Sequence, residues 1–262
     1  MINKANSTNK ANMTKIIAVS NHKGGVGKTT STVNIGAGLS RAGKRVLLID
    51  LDPQANLSQS LRIEGERDIY GAIRGLYPLT PIAINAKLSA IPSTLDLSGA
   101  EIEIAGQIGR ERILRKLLEP VRSSFDYILI DSPPSLGLLT INALTAAEEV
   151  YIPLQAQYLS LQGLSKLREV VDRIAEDINP GLRIGGIIVT QFDARKVLNR
   201  DVAQTIREHY PEETFKTEIR DNIALAEAPT QGADIFTYSP SSKGAEDYAA
   251  LVKEILKRDK RK

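Results

Sequence analysis

The sequence contains no cysteine and no tryptophan among its 262 residues. The absence of cysteine excludes disulfide bonds, thiolate metal sites and iron–sulfur clusters together. The chain also lacks any apolar run near the roughly 18–20 residues that cross a bilayer, so we predict no membrane-spanning helix. Its 42% apolar and 25% charged residues are ordinary for a soluble globular protein.

Net charge is also small, because 34 Lys and Arg residues are balanced by 31 Asp and Glu residues. A net charge of +3 is only a weak indication of nucleic-acid binding. The C-terminus is locally basic, and we predict a short solvated tail over residues 259–262. Residues 1–13 lack the apolar segment of a secretory signal. We therefore predict a disordered tail there, with Met13 as an alternative start, and a cytoplasmic protein.

A phosphate-binding loop is present between a predicted strand over residues 15–20 and a predicted helix. Its core is Gly27, Lys28 and Thr29, in which the lysine reaches the phosphates and the threonine binds Mg²⁺. The general pattern has glycine six residues before Lys28, whereas this chain has His22 followed by Lys23. One subunit does not need this second lysine to hold a nucleotide, which suggests that it serves the nucleotide of another subunit. The predicted nucleotide-binding residues of the loop are Lys23, Gly24, Gly25, Val26, Gly27, Lys28, Thr29 and Thr30.

Apolar runs and helical patterns alternate along the chain, which predicts an α/β fold with a mostly parallel sheet covered on both faces. The predicted strands lie near residues 15–20, 45–50, 126–131, 149–154 and 184–190. Residues 164–178 show one apolar helix face. The irregular segment 64–110 predicts two short helices and a minor strand. We find no linker, so we predict one domain over residues 14–258.

Three carboxylates follow two of the predicted strands. Asp50 and Asp52 end one strand, and Asp131 ends another. Ligands of open α/β sheets bind at the carboxyl ends of the strands. A P-loop threonine together with a strand-end aspartate is the usual Mg²⁺ site of P-loop NTPases. We therefore predict a metal site that includes Thr29, Asp50 and Asp131.

Four segments together resemble the ParA/Soj ATPases, the deviant Walker-A proteins that segregate plasmids and chromosomes. They are Lys23–Thr30, Asp50–Gln54, Asp131–Ser135 and Leu225–Pro229. The resemblance extends from about residue 14 to residue 256. It implies a P-loop NTPase fold of the SIMIBI type, with a twisted, mostly parallel sheet.

The resemblance also implies roles for individual residues. Lys28 would bind the β- and γ-phosphates of ATP. Lys23 would cross the interface of an ATP-sandwich homodimer, and Asp52 would orient or activate the attacking water. Asp131 would hold Mg²⁺ through water, with Asp50 supporting the metal. Segments 52–60 and 131–137 would sense the γ-phosphate, and Arg220 and Asn222, after a strand near 213–219, would bind the nucleotide.

The family further implies slow ATP hydrolysis stimulated by a ParB-like partner, and non-specific binding to double-stranded DNA of the nucleoid. The DNA-binding candidates are Arg195, Lys196 and Arg200. Many chromosomal members carry arginines where this chain has Asp221 and Ala224. Removal of a phosphate-binding cation lowers both DNA affinity and its dependence on salt.

Other functions share parts of this pattern. A ParA-like positioner of a chemosensory cluster or a microcompartment would carry the same motifs. A MinD-like membrane-surface ATPase is a further alternative because the last predicted helix is basic and amphipathic. We favour packing of that helix on the sheet, because its apolar stripe is short. A nitrogenase-like redox relative is excluded by the absence of cysteine, and an ATP-dependent metabolic ligase has no evident substrate signature.

Overall fold

The computed structural model describes residues 14–157 and 160–260, so the predicted tail over residues 1–13 and the last two residues of the predicted tail over 259–262 lie outside the described residues. In this described part of the chain, seven strands form a single sheet. They are β1 (Lys15–Val19), β2 (Val46–Asp50), β3 (Ile82–Ala83), β4 (Leu88–Ile91), β5 (Tyr127–Asp131), β6 (Glu149–Gln155) and β7 (Arg183–Thr190).

Helices connect most of the strands. They are α1 (Lys28–Arg41), α2 (Asn56–Ser60), α3 (Ile69–Ile73), α4 (Ala100–Ile104), α5 (Ile113–Arg122), α6 (Leu138–Ala146), α7 (Ser160–Asp177), α8 (Val197–His209), α9 (Ile223–Glu227), α10 (Ile235–Tyr238) and α11 (Lys243–Asp259). Short 3-10 turns cover Leu95–Gly99, Arg110–Arg112 and Ala228–Gln231.

The strand order is β3-β4-β2-β5-β1-β6-β7, and every neighbouring pair is parallel except β3 with β4. The predicted mostly parallel sheet is therefore confirmed. Strands β2, β5 and β1 are adjacent, so their carboxyl ends meet at one edge of the sheet. This order brings Asp50, Asp131 and the loop after Val19 to the same place.

Two apolar layers cover the two faces of the sheet, as expected for strands buried on both sides. One layer contains side chains of α3 to α8 and the other contains side chains of α1, α2, α9, α10 and α11. In α11, Leu251, Val252 and Ile255 are buried in the second layer. The prediction that the last helix packs on the sheet is confirmed. Within the described residues, no helix combines the length and apolar content needed to cross a bilayer.

Two details of the sequence-based prediction were wrong. Segment 64–110 contains the two short helices α3 and α4, but it contributes two strands, β3 and β4, rather than one. The expected strand near 213–219 forms only isolated bridges, from Thr214 to Ile187 and from Arg220 to Phe192. The physical reason is that the Glu254 carboxylate of α11 accepts the backbone N–H groups of Lys216 and Thr217, at 3.0 and 3.1 Å, which interrupts a ladder.

Candidate active site

The loop between β1 and α1 has the backbone of an anion-binding site. Gly25 and Gly27 adopt φ of 73° and 86°, a left-handed conformation that residues with a side chain rarely adopt. No heavy atom lies within 4 Å of a Cβ built on Gly24 or Gly25, so this side of the loop is open. The N-terminus of α1, a helix of 14 residues, follows directly and adds free N–H groups and a positive dipole end. The loop therefore fits a phosphate group.

Residues from neighbouring strand ends hold this loop in place. Thr190 Oγ1 donates to the Val26 carbonyl at 2.8 Å, and Gln191 Nε2 donates to the Gly25 carbonyl at 2.9 Å. Asn21 Nδ2 donates to the Pro153 carbonyl at 2.8 Å. Sequence reasoning did not identify these residues. Their position at the carboxyl ends of β6 and β7, or directly after β1, is the signal that could have found them.

His22, which stands where the general phosphate-loop pattern has glycine, has a packing role. A Cβ on Gly163 of α7 would lie 2.4 Å from His22 Cε1, so the imidazole fills the space that Gly163 leaves. The next residue, Lys23, extends its ammonium to the side-chain oxygens of Gln157 and Gln155, at 2.7 and 3.3 Å. Both partners are neutral. Within the described residues, Lys23 forms no salt bridge.

The predicted metal-site residues come together at the carboxyl edge of the sheet. Asp50 and Asp131 are register partners in β2 and β5. Thr29 Oγ1 donates to Asp131 Oδ2 at 2.6 Å. Asp50 accepts the N–H of Ser58 at 2.9 Å and its hydroxyl at 2.7 Å. The backbone N–H of Asp52 donates to Asp50 Oδ1 at 3.2 Å, which places Asp52 beside this pair.

Burial perturbs the ionisable groups of the site. Asp131 is only 1% exposed, and burial together with the nearby Asp50 charge raises its pKa to about 8. Burial likewise raises the pKa of Asp50 to about 6, although hydrogen bonds from Ser58 oppose the shift. Burial also lowers the pKa of Lys28, and the charges of Asp131 and Asp52 oppose that effect. The edge thus holds buried carboxyl groups whose ionised forms a cation would stabilise.

The donor set fits Mg²⁺. Carboxylate and hydroxyl oxygens are its preferred ligands, and Mg²⁺ is usually held by one or two carboxylates together with substrate phosphates. Across residues 14–157 and 160–260, no group of three or more His, Cys, Asp or Glu could hold a metal ion. A cation at Thr29 and Asp131 therefore fits best when a nucleotide phosphate in the loop supplies further ligands.

Arg220 and Asn222 have other partners in the structure. Arg220 forms a salt bridge with Asp247 at 2.5 Å and with Glu246 at 2.7 Å. The Asn222 side chain caps α9 by accepting the N–H of Ala224 at 2.9 Å. Neither side chain hydrogen-bonds to the phosphate loop within the described part of the chain. Arg220 would have to leave its carboxylates to bind a nucleotide.

The three basic DNA-binding candidates lie together between the end of β7 and the first turn of α8. Arg195 is 89% exposed, and its Nε and Nη2 atoms contact the Asp193 carboxylate at 2.9 and 3.0 Å. These bonds lower the pKa of Asp193 to about 2. Lys196 lies 4.0 Å from the same carboxylate, and Arg200 donates to the Ala194 carbonyl at 2.6 Å. We call residues 191–196 together with Arg200 the basic loop.

Asp221 lies beside the basic loop, because its N–H donates to the Phe192 carbonyl at 3.1 Å. A carboxylate at this position lowers the local positive potential. Asp221, one of the two positions at which the resemblance leads us to expect arginine, thus lies next to the basic residues that the sequence singled out.

Known proteins are similar to this chain over nearly its whole length. A family model described as an AAA domain matches residues 14–184. The sporulation initiation inhibitor protein Soj of Bacillus subtilis (strain 168) is 45% identical over 249 residues, covering 93% of this chain and 98% of that protein. The chromosome partitioning protein ParA of Myxococcus xanthus is 42% identical over 255 residues, covering 95% and 90%.

The solved structures agree on the fold. Cobyrinic acid a,c-diamide synthase from Mycobacterium smegmatis, with bound ADP and magnesium, aligns with a TM-score of 0.83 and 32% identity. The alignment covers 95% of this chain and 96% of that chain. That protein binds ADP and magnesium on the same fold.

Proposed function

The chain belongs to the ParA/Soj family of P-loop ATPases, and on this basis we propose that it is an ATP-dependent DNA-partitioning switch. In this proposal ATP closes a homodimer, the dimer binds double-stranded DNA of the nucleoid without sequence preference, and a ParB-like partner stimulates slow hydrolysis. Release from DNA follows hydrolysis. The nucleotide acts as a timer of DNA binding.

The observation that carries the proposal is the position of Lys23. Its ammonium lies at the mouth of the phosphate loop, and its hydrogen bonds within the described residues go to the neutral side chains of Gln155 and Gln157. The other lysine, Lys28, is buried and donates to the Lys23 carbonyl at 3.3 Å. Lys28 thus lies against the loop of its own chain, whereas Lys23 has no carboxylate partner in the part of the chain that the structure describes. A cation supplied by a second subunit stabilises phosphoryl-transfer charge as an arginine finger does.

The remaining residues have distinct tasks in the proposed reaction. Lys28 and the loop N–H groups bind the phosphates, and Asp52 orients the attacking water. Thr29 and Asp131 would hold Mg²⁺, with Asp50 supporting the site, and the ion would neutralise charge on the phosphates. Ser58 ties Asp50 to α2, which connects the metal site to segment 52–60. Changes at the γ-phosphate can therefore alter that segment.

Mixing two inactive variants tests whether Lys23 acts across the dimer. A Lys23→Ala chain lacks the donated lysine, and an Asp52→Ala chain lacks the residue that orients water. In a mixed sandwich dimer, the nucleotide site of the Lys23→Ala chain has its own Asp52 and receives Lys23 from the partner. At equal concentrations about half of the dimers are mixed and each has one intact site of two, so about a quarter of the parental ATPase activity returns.

The same mixture gives no recovery if Lys23 acts within its own chain, because no subunit then holds both residues. The matched control mixes Lys28→Ala with Asp52→Ala. Lys28→Ala keeps Lys23 for donation but cannot bind its own phosphates, and Asp52→Ala cannot hydrolyse, so we expect no recovery. Normal dimerisation and partner-stimulated hydrolysis by Lys23→Ala alone would also contradict the proposal.

DNA binding is tested by measuring affinity for a non-specific duplex with ATP, with ADP and without nucleotide, across a salt series. We expect binding only with ATP and a steep decrease with salt, because phosphate contacts release counterions. Binding that does not depend on nucleotide would contradict the switch. No binding at low salt would favour another cargo.

A further inference from the structure

An apolar groove lies far from the phosphate loop along α1, at the last turn of that helix. Its volume is about 650 Å³. The groove runs between the end of α1 and one face of α11. Its apolar floor is formed by Gly38, Ala42, Phe236, Ala249, Val252 and Leu256.

The floor is preformed because α1 and α11 are in close contact. A Cβ on Gly38 would lie 2.7 Å from Val252 Cγ2 and 3.3 Å from the Phe236 ring. Only glycine permits this approach without a shift of the neighbouring side chains. A rigid groove loses little entropy when a ligand binds.

The groove has a positively charged rim. Arg41, Lys253, Lys257 and Lys260 line it, and no carboxylate in the described part of the chain does, although Arg41 Nη2 lies 3.7 Å from the Asp234 carboxylate. The three lysines are exposed, and their spacing of four and three residues places them along one face of α11. Within the described residues, none of these lysines forms a salt bridge. The Arg41 guanidinium lies 5.4 Å from the centre of the Phe236 ring, above the floor.

We infer that this groove binds an amphipathic helix of a partner protein, with its apolar face on the floor and acidic side chains against the rim. Amphipathic helices bind apolar grooves in this way, and charges of opposite sign set their orientation. A membrane surface is flat and matches a concave floor poorly. Nucleic acid would place its polar phosphates and sugars against the apolar floor.

The positive charge of the rim also argues against two occupants that this protein itself could supply, its N-terminal residues and a second copy of the chain. Residues 1–13 contain two lysines and no carboxylate, so they match the basic rim poorly. A second copy that used the same groove would place two basic rims against each other. An acidic partner removes both difficulties.

The absence of cysteine allows a direct test of occupancy. Ala249→Cys introduces a single thiol on the floor, and Ala250→Cys introduces one at the next, exposed position of α11 outside the groove. The probe is a synthetic helical peptide of about 18 residues, with leucines at i, i+3, i+4 and i+7 and glutamates beside them. At about ten times its Kd, we expect the peptide to slow maleimide labelling of the Ala249→Cys thiol about tenfold. Labelling of the Ala250→Cys thiol should change less than about twofold.

The rim is tested with charge-reversed variants. Lys253→Glu/Lys260→Glu should weaken peptide binding at least about tenfold. The matched control, Lys116→Glu/Lys166→Glu, makes the same charge change at exposed positions of α5 and α7 and should weaken it less than about twofold.

Several results would overturn the inference. One is equal protection by a peptide with lysine in place of glutamate, and another is equal loss of binding in the two charge-reversed pairs. Phosphatidylglycerol vesicles or duplex DNA that protect the Ala249→Cys thiol when the acidic peptide does not would assign the groove to lipid or to nucleic acid instead.

Discussion

The carboxyl edge of the sheet and the basic loop both carry the ionisable groups expected of their proposed functions, but in different environments. At the edge, Asp50 and Asp131 are almost fully buried, and Lys28 is 7% exposed. In the basic loop, Arg195 is 89% exposed and pairs with Asp193 two residues earlier. One region contains buried ionisable groups in fixed positions, and the other contains solvated charges that are partly neutralised.

This difference in burial predicts how strongly each proposed function depends on a single ionisable side chain. A buried charge acts through position, and its removal leaves a partner uncompensated in a medium of low dielectric constant. An exposed charge is screened by water and salt, and its neighbours can partly replace it. We therefore expect large, specific effects at the carboxyl edge and smaller, additive effects in the basic loop.

The largest effect is expected from Lys28→Ala. This change removes the buried ammonium that neighbours Asp131 and Asp52 and that would bind the phosphates. We expect kcat/KM for ATP to fall about 100- to 1,000-fold, as for loss of other preorganised groups that stabilise transition-state charge. Steady-state ATPase kinetics measure the change, with Lys166→Ala as an exposed control. Retention of more than about a tenth of the activity would show that the carboxyl edge does not depend on single side chains more strongly than the basic loop does.

Substitution of the basic residues in the basic loop should have a smaller effect, and it should weaken DNA binding without changing ATP binding. We expect Arg195→Ala/Lys196→Ala/Arg200→Ala to weaken ATP-dependent binding to duplex DNA about 10- to 100-fold, and to reduce the salt slope by about 0.9 for each DNA phosphate that is no longer neutralised. Fluorescence anisotropy across a salt series measures both quantities. ATP binding should stay unchanged.

The control for this triple variant is Arg115→Ala/Lys116→Ala/Lys166→Ala, which removes the same charge from exposed positions on α5 and α7. An equal decrease of the salt slope in both variants would show that net charge matters and the loop does not.

Arg220→Ala gives a second comparison. Because Arg220 is held by Asp247 and Glu246, its substitution should lower the melting temperature and leave the salt slope unchanged.

Asp131→Asn should stabilise the protein in Mg²⁺-free buffer. The pKa of Asp131 is about 8 in the folded chain and 3.8 in the reference state, so the folded state binds the proton more tightly. Stability of the parent therefore decreases as pH rises from about 4 to about 8, and asparagine removes this contribution. We expect the advantage of the variant to grow through this range, with each kcal/mol raising the melting temperature by about 2–4 °C.

Thermal unfolding at several pH values checks this prediction. The same variant should lose the extra stabilisation that the parent gains from ATP with Mg²⁺. A difference between parent and variant that does not change with pH would show that the buried carboxylate is compensated in the folded chain.

The smallest effect is expected from Asp193→Asn, which frees Arg195 from its local partner. We expect DNA affinity to increase about two- to threefold and the salt slope to become steeper by at most about 0.9. Asp172→Asn removes an equal charge from an exposed position of α7 and serves as the control. Equal gains in both variants would mean that the Asp193 pair does not restrain Arg195.

Most of the fold follows from local patterns in the sequence. The five main parallel strands, the helix after the phosphate loop and the apolar face of α7 all lie where periodicity predicted them. Segment 213–219 could not be predicted in this way. Its N–H groups at Lys216 and Thr217 bond to Glu254, which is distant in sequence and close only after α11 has packed.

The sequence alone determined which residues could bind a phosphate and a metal, because Gly25, Gly27, Lys28 and Thr29 act through local backbone and side-chain chemistry. The burial and the neighbours of these residues follow from how the chain folds in three dimensions. The strand order places Asp131 beside Asp50, and burial of this pair raises both pKa values. The packing of α11 also brings Asp247 to Arg220 and places α11 beside α1 at the basic-rimmed groove. These contacts join residues far apart in the chain, and burial and electrostatic coupling depend on distance in space.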